Sequence, residues 1–326
     1  MRSLLQACSI FSSCVTHSKL ETLLFCLLQS IWLISSLLSG LGSSNILILN
    51  TRIKELIPAF VEILNDYLGN TSHIVSACDS WMSAFNLTWK KEEDGTYSKT
   101  DFVNDVYNAN IQKNNIGVAI LDNVNMQNVL NYLKEFVDFA NYPSYSHSMR
   151  LNQKLVLKIP HNFKLILIPQ NDDYLNEIPE ELAEASISIE LLMRKAEHVV
   201  EEEVKPNSLS YGYLEDLIYE AKKTDYIGED LWKKLDDSLI ELGVAELHNK
   251  VILQMEKYTS VYISAGGEDV DAFDSVIAEK VLPILKVLPQ FKTYEGMKSL
   301  LTVIEKHLGH DNINRISRVL NIAVKE

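Results

Sequence analysis

The sequence has few cysteines and lacks the short motifs of several common enzyme classes. Its four cysteines form no CxxC pair, so they predict neither a zinc site nor a disulfide framework, and they favour a reducing compartment. The eight histidines form no HExxH motif, and no GxSxG motif occurs. Because these patterns mark zinc hydrolases and α/β-hydrolase serine enzymes, neither class is predicted.

The chain also lacks an excess of positive charge. Its 326 residues include 44 acidic and only 30 basic residues, which gives a formal net charge of −14, and 47% of the residues are hydrophobic. This length suits one large domain or two ordinary ones, each with its own core. The acidic balance argues against a broad nucleic-acid surface, so any link to nucleic acid is expected to be indirect.

The longest apolar stretch, Thr22–Leu41, belongs to a hydrophobic N-terminal segment of residues 1–42. A run of about 20 apolar residues can span a bilayer, and the chain would then be a membrane-anchored adaptor. Several serines and Gln29 interrupt the run, so a helix buried in the core or in a partner interface is the favoured alternative. The rest of the chain is typical of a cytoplasmic protein, with membrane association as the alternative.

The central apolar run, Ile116–Leu121, is followed directly by Asp122 and Asn123. A continuous apolar strand is buried on both faces, which is typical of a parallel sheet. Short apolar runs alternate with helical patterns on either side of it, and this alternation predicts an α/β fold. The predicted strands are 45–50, 73–78, 116–121, 154–159, 162–168 and 186–191, and residues 79–100 are predicted to be a loop.

Beyond this region the pattern becomes helical. Apolar residues recur near the helical period in six segments, 209–222, 228–242, 245–258, 269–288, 294–308 and 312–324. The change of character predicts a domain boundary near residues 192–208.

Several stretches resemble, in the same order, the McrB-type AAA+ NTPases, the motors of modified-cytosine restriction and related phage-defence systems. These stretches are Val75–Trp81, Tyr97–Phe102, Val118–Asn123, Ile159–Phe163, Ile168–Asp172 and Asp271–Pro283. The resemblance implies an AAA+ P-loop NTPase-like parallel sheet with helices on both faces in residues 43–195, followed by an all-helical lid domain in residues 196–326. It also implies ATP or GTP with Mg²⁺ as cofactors, and protein partners in an AAA+ homo- or hetero-oligomer.

The same resemblance assigns candidate site residues. Asp122 takes the Walker B position, which implies a ligand of Mg²⁺, and Asn171 takes the sensor position. Asn123 stands where the family carries a catalytic glutamate. Two alignments give a degenerate phosphate loop, one with Asn50-Thr51-Arg52 and the other with Ser39–Asn45.

The sequence departs from the family in three features that hydrolysis needs. No G-x-x-x-x-G-K-[ST] motif occurs, so the phosphate-binding lysine is missing. Asn123 is an amide, which cannot accept a proton from water as a carboxylate can. The stretch Glu180–Ala185 lacks the arginines that the family places there. The sequence therefore predicts a pseudo-ATPase with a structural or regulatory role and no catalytic residue; a divergent nucleoside triphosphatase is the alternative.

Other polar and aromatic groups favour ordinary structural roles. The acidic cluster between Asp172 and Glu184 is expected to be a solvated surface rather than a metal site. Cys78 is expected to be a small core residue rather than a nucleophile. Trp81 and Trp89 lie near Lys90 and could stack on nucleic-acid bases, but packing against a neighbouring subunit suits the overall negative charge better.

Overall fold

Two regions follow one another along the chain, a parallel β-sheet with its helices and then a helical region. The computed structural model describes residues 31–51, 54–68, 72–143, 145–151, 156–171, 174–191, 209–221, 229–244, 247–265, 267–309 and 313–320. The α/β fold with a parallel sheet, followed by a helical C-terminal region, is thereby confirmed. The predicted boundary at 192–208 lies entirely outside the described residues.

Nine strands occur in the described residues, and five of them form the main sheet. The strands are β1 Ile46–Thr51, β2 Ile74–Ser76, β3 Trp89–Lys91, β4 Tyr97–Lys99, β5 Gly117–Val124, β6 Ser148–Arg150, β7 Val156–Lys158, β8 Phe163–Pro169 and β9 Ser186–Leu191. The main sheet has the order β2-β5-β8-β1-β9, and its neighbouring strands all pair in parallel. All the carboxyl ends of these strands therefore lie at one edge of the sheet.

The helices flank this sheet and then form the C-terminal region. The α-helices are α1 Ile31–Ser43, α2 Ile57–Leu68, α3 Ala84–Thr88, α4 Asp101–Ile111, α5 Leu130–Asn141, α6 Glu180–Ala185, α7 Tyr211–Ala221, α8 Glu229–Glu241, α9 Asn249–Ser264, α10 Asp269–Val276, α11 Leu282–Val287, α12 Tyr294–Leu308 and α13 Asn314–Leu320. Short 3-10 turns occupy Lys54–Leu56, Tyr174–Asn176 and Pro289–Lys292, and a π-helical turn occupies Ile277–Val281.

The central strands are buried because their apolar residues face helices on both sides. All seven residues of β8 are buried, as are the first five of β5 and the first four of β1. Burial of this kind is what a parallel sheet covered on both faces requires. The continuous apolar runs of the sequence thus become the centre of the core.

Helix α1 is the described part of the hydrophobic N-terminal segment, and it is a core helix. Its residues from Ser35 to Leu41 are buried, and the helix packs against α9 and β9. The buried-helix interpretation is therefore confirmed from residue 31 onward, whereas residues 22–30 lie outside the described part of the chain. Within the described residues, no helix has both the length and the apolar composition needed to cross a bilayer.

The stretch predicted to be a loop between residues 79 and 100 contains regular structure. It holds α3 and the antiparallel hairpin of β3 and β4, in which Trp89 pairs with Lys99 and Lys91 pairs with Tyr97. The predicted strand at 154–159 is likewise not part of the main sheet, because β7 pairs with β6 in a second hairpin. Strands of three residues give too short a pattern to distinguish from loops.

The predicted helix at 269–288 is divided into three parts by the π-helical turn between α10 and α11. This turn carries two fully buried charged residues, Glu279 and Lys280. Lys280 donates hydrogen bonds to the carbonyl oxygens of Ala183, Glu184 and Ser186 at 3.1, 2.6 and 2.9 Å. Since these carbonyls lie at the end of α6 and the start of β9, the lysine fastens the helical region to the sheet.

Candidate functional site

The carboxyl edge of the main sheet brings together most of the residues that the sequence singles out. Ligands of open α/β sheets bind at this edge. Thr51 ends β1 and Ser76 ends β2, while Asp122 lies near the end of β5. Asn171 follows the end of β8 by two residues. The edge is therefore the candidate site.

Asp122 and Asn123 form an irregularity in β5. The pairing of β5 with β8 shifts its register between Leu121 and Val124, and Asn123 has a positive φ of 58°. The main-chain N–H of Asn123 donates to Asp122 Oδ1 at 2.7 Å, and its side-chain amide lies 3.4 Å from the carbonyl oxygen of Ala77. Bulges next to sites re-aim side chains, and here the bulge leaves both side chains half-buried at the edge.

Lys54 is a cation at this edge that sequence reasoning missed. It begins the 3-10 turn that leads into α2, and its Nζ donates to the main-chain oxygen of Gln170 at 3.1 Å. Its side chain is exposed, so the contact with the end of β8 places an ammonium beside the strand that precedes Asn171. A search for a glycine followed by lysine and serine or threonine cannot find it, because no glycine precedes it. A cation in the first turn after the first strand is the signal that could have revealed it.

The connection after β1 is too short to enclose phosphates. β1 ends at Thr51 and the next turn begins at Lys54, so only two residues join them, and two residues span at most about 7 Å. Asn50 and Thr51, assigned above to a degenerate phosphate loop, are instead the last two residues of β1 and pair with Glu190 and Leu191. Arg52, the third of that set, lies outside the described residues.

The alternative phosphate loop, Ser39–Asn45, is wrong. Most of it is helical and it precedes β1, whereas a phosphate loop follows the first strand at its carboxyl end. Its two glycines serve helix packing, because a Cβ on Gly40 would lie 2.9 Å from Ile189 Cδ1 and one on Gly42 would lie 3.3 Å from Ile218 Cδ1. The glycines allow α1 to approach β9 and α7 closely.

Asn171 and the described acidic residues near it already contact other groups of the protein. The Asn171 side chain is exposed, and its Nδ2 lies 3.5 Å from Glu177 Oε2. Asp172 and Asp173 lie outside the described residues. Glu181 forms an ion pair with Lys134 at 2.5 Å, and Glu184 pairs with Lys250 at 2.6 Å. These two carboxylates therefore have cation partners on the protein.

The donors at the edge fit Mg²⁺ only together with a nucleotide. The described residues contain no group of three or more histidine, cysteine or acidic side chains that could hold a metal ion. Mg²⁺ is usually bound through one or two carboxylates together with substrate phosphates and waters. Asp122 could supply one such carboxylate, but its Oδ1 already accepts the Asn123 N–H. A stable metal site of protein ligands alone is not built here.

The helical region also reaches this edge. Arg318 of α13 lies 3.8 Å from the carboxylate of Glu190, which pairs in the sheet with Asn50. The pair is partly exposed, since 43% of the arginine side chain and 22% of the glutamate side chain are accessible. Arg318 could not be singled out from the sequence, because the approach of α13 to β9 depends on tertiary packing.

Cys78 is exposed at the end of β2, so its expected role as a core residue is wrong. Its Sγ lies 3.2 Å from Ser80 Oγ. Hydrogen bonds from the side chain and main chain of Ser80 lower the pKa of the thiol. The nearest described carboxylate in the chain is Asp79, whose side chain accepts a hydrogen bond from Asn125 at 3.1 Å. No base with a hydrogen bond to the thiol is found among the described residues.

At this edge Asp122 accepts a hydrogen bond within its own bulge, Asn123 and Asn171 supply amide side chains, and Lys54 supplies an exposed ammonium. Glu190 and Arg318 form a partly exposed pair beside them. The arrangement can contact an anion at the edge of the sheet. The sequence matches no protein-family model, and no curated protein is significantly similar to it.

Proposed function

We propose that the chain is a catalytically degenerate AAA+ module, a pseudo-ATPase that acts as a structural or regulatory subunit of a larger assembly. The resemblance to McrB-type proteins extends the proposal to a bacterial restriction or phage-defence system. Its partners would be proteins, as AAA+ homo- or hetero-oligomers, with nucleic acid contacted only through them.

The order of the strands supports an AAA+ ancestry. Numbered within the main sheet along the chain, the five strands follow the order 2-3-4-1-5, with the fourth between the first and the third. This order differs from the dinucleotide-binding order 3-2-1-4-5-6 and from the flavodoxin order 2-1-3-4-5. The bulge at Asp122 and Asn123 falls on the third strand, which is the strand that the resemblance assigns to Walker B.

The single observation that carries the loss of activity is the two-residue connection between Thr51 and Lys54. Phosphate binding by main-chain N–H groups needs a loop that wraps the phosphates before a helix begins. Asn123, in place of a general base, removes the second requirement. Loss of both features at one edge favours a role that depends on shape and surface.

The segment that contains α3 and the β3–β4 hairpin, residues 82–99, forms the surface that best suits a protein partner. Phe85 stacks near Trp89 with ring centroids 6.3 Å apart and meets Tyr97 edge-on at 5.4 Å. Phe85, Tyr97 and Met82 are 47%, 52% and 68% exposed. Adjacent exposed apolar side chains mark interaction sites, and they agree with packing against a neighbouring subunit.

The test is nucleotide turnover by the intact chain. Phosphate release from ATP and GTP with Mg²⁺ is expected to stay at the level of a protein-free blank, and Asp122→Ala should not change it. Nucleotide affinity is measured in parallel by calorimetry. Tight binding together with turnover that Asp122→Ala abolishes would sink the proposal.

The assembly role has its own test. The molar mass measured by light scattering during gel filtration should exceed the 37.0 kDa of one chain, either for the protein alone or for the protein mixed with a partner. Phe85→Ser with Met82→Ser should lower the assembled mass without changing the circular dichroism, while Tyr294→Ser, at another exposed site, should not. Equal assembly in all three proteins would remove the aromatic surface from the proposal.

Lys54 favours one alternative, a divergent active nucleoside triphosphatase. Its ammonium lies at the edge where phosphates would bind, 3.1 Å from Gln170 O. If this alternative holds, Lys54→Met should reduce nucleotide affinity by about tenfold or more, as expected for the loss of a charge-assisted contact. Lys54→Arg, which keeps the charge, should retain part of it.

A further inference from the structure

A cavity lies at the opposite edge of the main sheet from the candidate nucleotide site. It has a volume of about 430 Å³, within the range of roughly 300–1,000 Å³ that small-molecule sites occupy. The start of β1 and the start of β8 contribute Asn45 and Lys164, and α7 and α9 contribute Glu215, Gln254 and Lys257. The cavity is thus enclosed by the sheet and the helical region together.

Lys164 is the central polar group of this cavity. Its side chain is buried, with 5% accessibility, although it is the second residue of a strand that is otherwise apolar or proline. Its Nζ donates to the main-chain oxygen of Ser44 at 3.0 Å and to Asn45 Oδ1 at 2.9 Å. An ammonium carries three N–H donors, so these two neutral acceptors leave one donor without a partner among the described residues.

The charge of Lys164 has no ion pair in the described part of the chain. Burial, and to a smaller extent the ammonium of Lys257, lowers the pKa of Lys164 to about 7, while Glu215 opposes the shift. Glu215 is exposed and hydrogen-bonds to the Tyr211 hydroxyl. An unpaired buried ammonium is costly, and a ligand with a negative charge would supply the missing partner.

Gln254 gives an independent indication of a ligand. Its Oε1 is buried and has no hydrogen-bond partner among the described residues, yet the residue lines the cavity. Buried polar atoms are rarely left unsatisfied in folded proteins. Because this oxygen has no accessible surface, the side chain would have to turn toward the cavity for a hydroxyl or amine of a bound molecule to satisfy it. The cavity would then combine a site for an anion with a site for a hydrogen-bond donor.

One further cation lies on the wall of the cavity. Lys250 pairs with Glu184 at 2.6 Å and donates to Asn141 Oδ1 at 3.0 Å, so a carboxylate already balances its charge. The imidazole of His161 lies against the ring of Phe139. Three lysines, one histidine and one carboxylate therefore line the cavity.

We infer that this cavity binds a small hydroxylated metabolite that carries an oxyanion, either a phosphate monoester or a carboxylate, with the anion at Lys164 and the hydroxyl at Gln254. The site is distinct from the carboxyl edge and does not depend on nucleotide binding there. Because α7 and α9 contribute to its walls, bound ligand would stabilise the contact between the helical region and the sheet.

The test uses the intact chain with inorganic phosphate, glycerol 3-phosphate and succinate, titrated by calorimetry at constant ionic strength. Saturable binding of at least one probe is expected, and Lys164→Met should weaken it by tenfold or more. Lys298→Met, at an exposed position that does not line the cavity, should leave it unchanged. Absence of binding for all three probes, or full binding by Lys164→Met, would overturn the inference.

A second pair of variants separates the two contacts and guards against misfolding of Lys164→Met. Gln254→Leu should weaken the binding of glycerol 3-phosphate by about threefold or more. It should leave the binding of inorganic phosphate and succinate unchanged, since neither carries a hydroxyl on carbon. Lys257→Met should weaken the binding of every probe that binds the unaltered chain. Equal affinities of the unaltered chain and both variants for every probe would also overturn the inference. Preference for glycerol 3-phosphate or for succinate identifies the oxyanion.

Discussion

The guanidinium of Arg315 lies 3.1 Å from the carboxylate of Glu279, and both side chains are buried between α9, α10 and α13. Tyr258 also donates its hydroxyl to Glu279, and Arg315 donates to Ser275 Oγ. Burial raises the pKa of Glu279 to about 7, while Arg315 and Tyr258 oppose the rise. This network lies inside the helical region, where a lone charge would be poorly solvated.

We expect Arg315→Met to lower the free energy of unfolding by about 3 kcal/mol, because it leaves a buried carboxylate without its cation. Urea denaturation followed by circular dichroism measures the loss. The control is Arg318→Met, whose partner Glu190 lies 3.8 Å away in a partly exposed pair; it should cost no more than about 1 kcal/mol. Similar losses in the two variants would show that burial does not strengthen the Arg315 pair.

Lys280→Met should destabilise the chain by about 3 kcal/mol, since it leaves several carbonyls at the end of α6 without their donor. Methionine keeps the apolar stem of the side chain, so packing changes little. Lys298→Met, at an exposed position of α12, should stay within about 0.5 kcal/mol of the unaltered chain. Urea denaturation with an unchanged m-value gives the midpoints to be compared. An unchanged midpoint for Lys280→Met would contradict a role for Lys280 in attaching the helical region to the sheet.

The pair of His73 and Asp105 predicts a dependence of stability on pH. The imidazole Nδ1 lies 2.7 Å from Asp105 Oδ1, and burial raises the pKa of Asp105 from 3.8 to about 6, although His73 opposes the rise. The unfolded chain therefore loses this proton at lower pH than the folded chain does. The contribution of Asp105 to stability is greatest below pH 4 and is lost as the pH rises through about 6.

Asp105→Asn tests this directly. Between pH 4.5 and 7 the unaltered chain should lose about 2 kcal/mol relative to the variant, because each unit of pKa difference corresponds to about 1.4 kcal/mol. Asp101→Asn, an exposed change on the same helix, should show the same dependence of stability on pH as the unaltered chain. Urea unfolding at several pH values gives the curves, and parallel curves for Asp105→Asn would rule out titration of this carboxyl in that range.

Alanine substitutions at two glycines should change the stability of the chain in opposite directions. A Cβ on Gly117 would lie 2.4 Å from Ala109 Cβ, where α4 packs on β5, whereas one on Gly212 would meet nothing within 4 Å. Gly117→Ala should therefore cost about 1–3 kcal/mol through overpacking. Gly212→Ala, near the start of α7, should gain about 0.4–1 kcal/mol by restricting the unfolded chain. Thermal unfolding checks both signs, and a stable Gly117→Ala variant would show that α4 can shift.

The centre of the main sheet could be predicted because three of its strands contain unbroken apolar runs. Ile46–Leu49, Val118–Leu121 and Leu165–Ile168 are buried on both faces, so hydrophobicity alone marks them. Pro58 explains why α2 begins at Ile57, since proline suits the first turn of a helix. The β3–β4 hairpin escaped prediction, and the strand predicted at 154–159 was not recognised as one half of a hairpin, because three-residue strands give too short a pattern.

The candidate sites were less predictable because they depend on contacts between distant residues. Lys54 meets Gln170 across 116 positions and Lys164 meets Ser44 across 120. In the sequence each is one lysine among many, and only the strand order brings it to an edge with other polar groups. Asp122 and Asn123 could be singled out because they end the most apolar strand of the chain.

Helix α1 has a consequence for how the chain holds together. It lies between the sheet and α9, and it also contacts α7, while Lys280 bonds to carbonyl oxygens at the end of α6 and the start of β9. A helical region that is attached to the sheet through both contacts has little freedom to swing when a ligand arrives at the carboxyl edge.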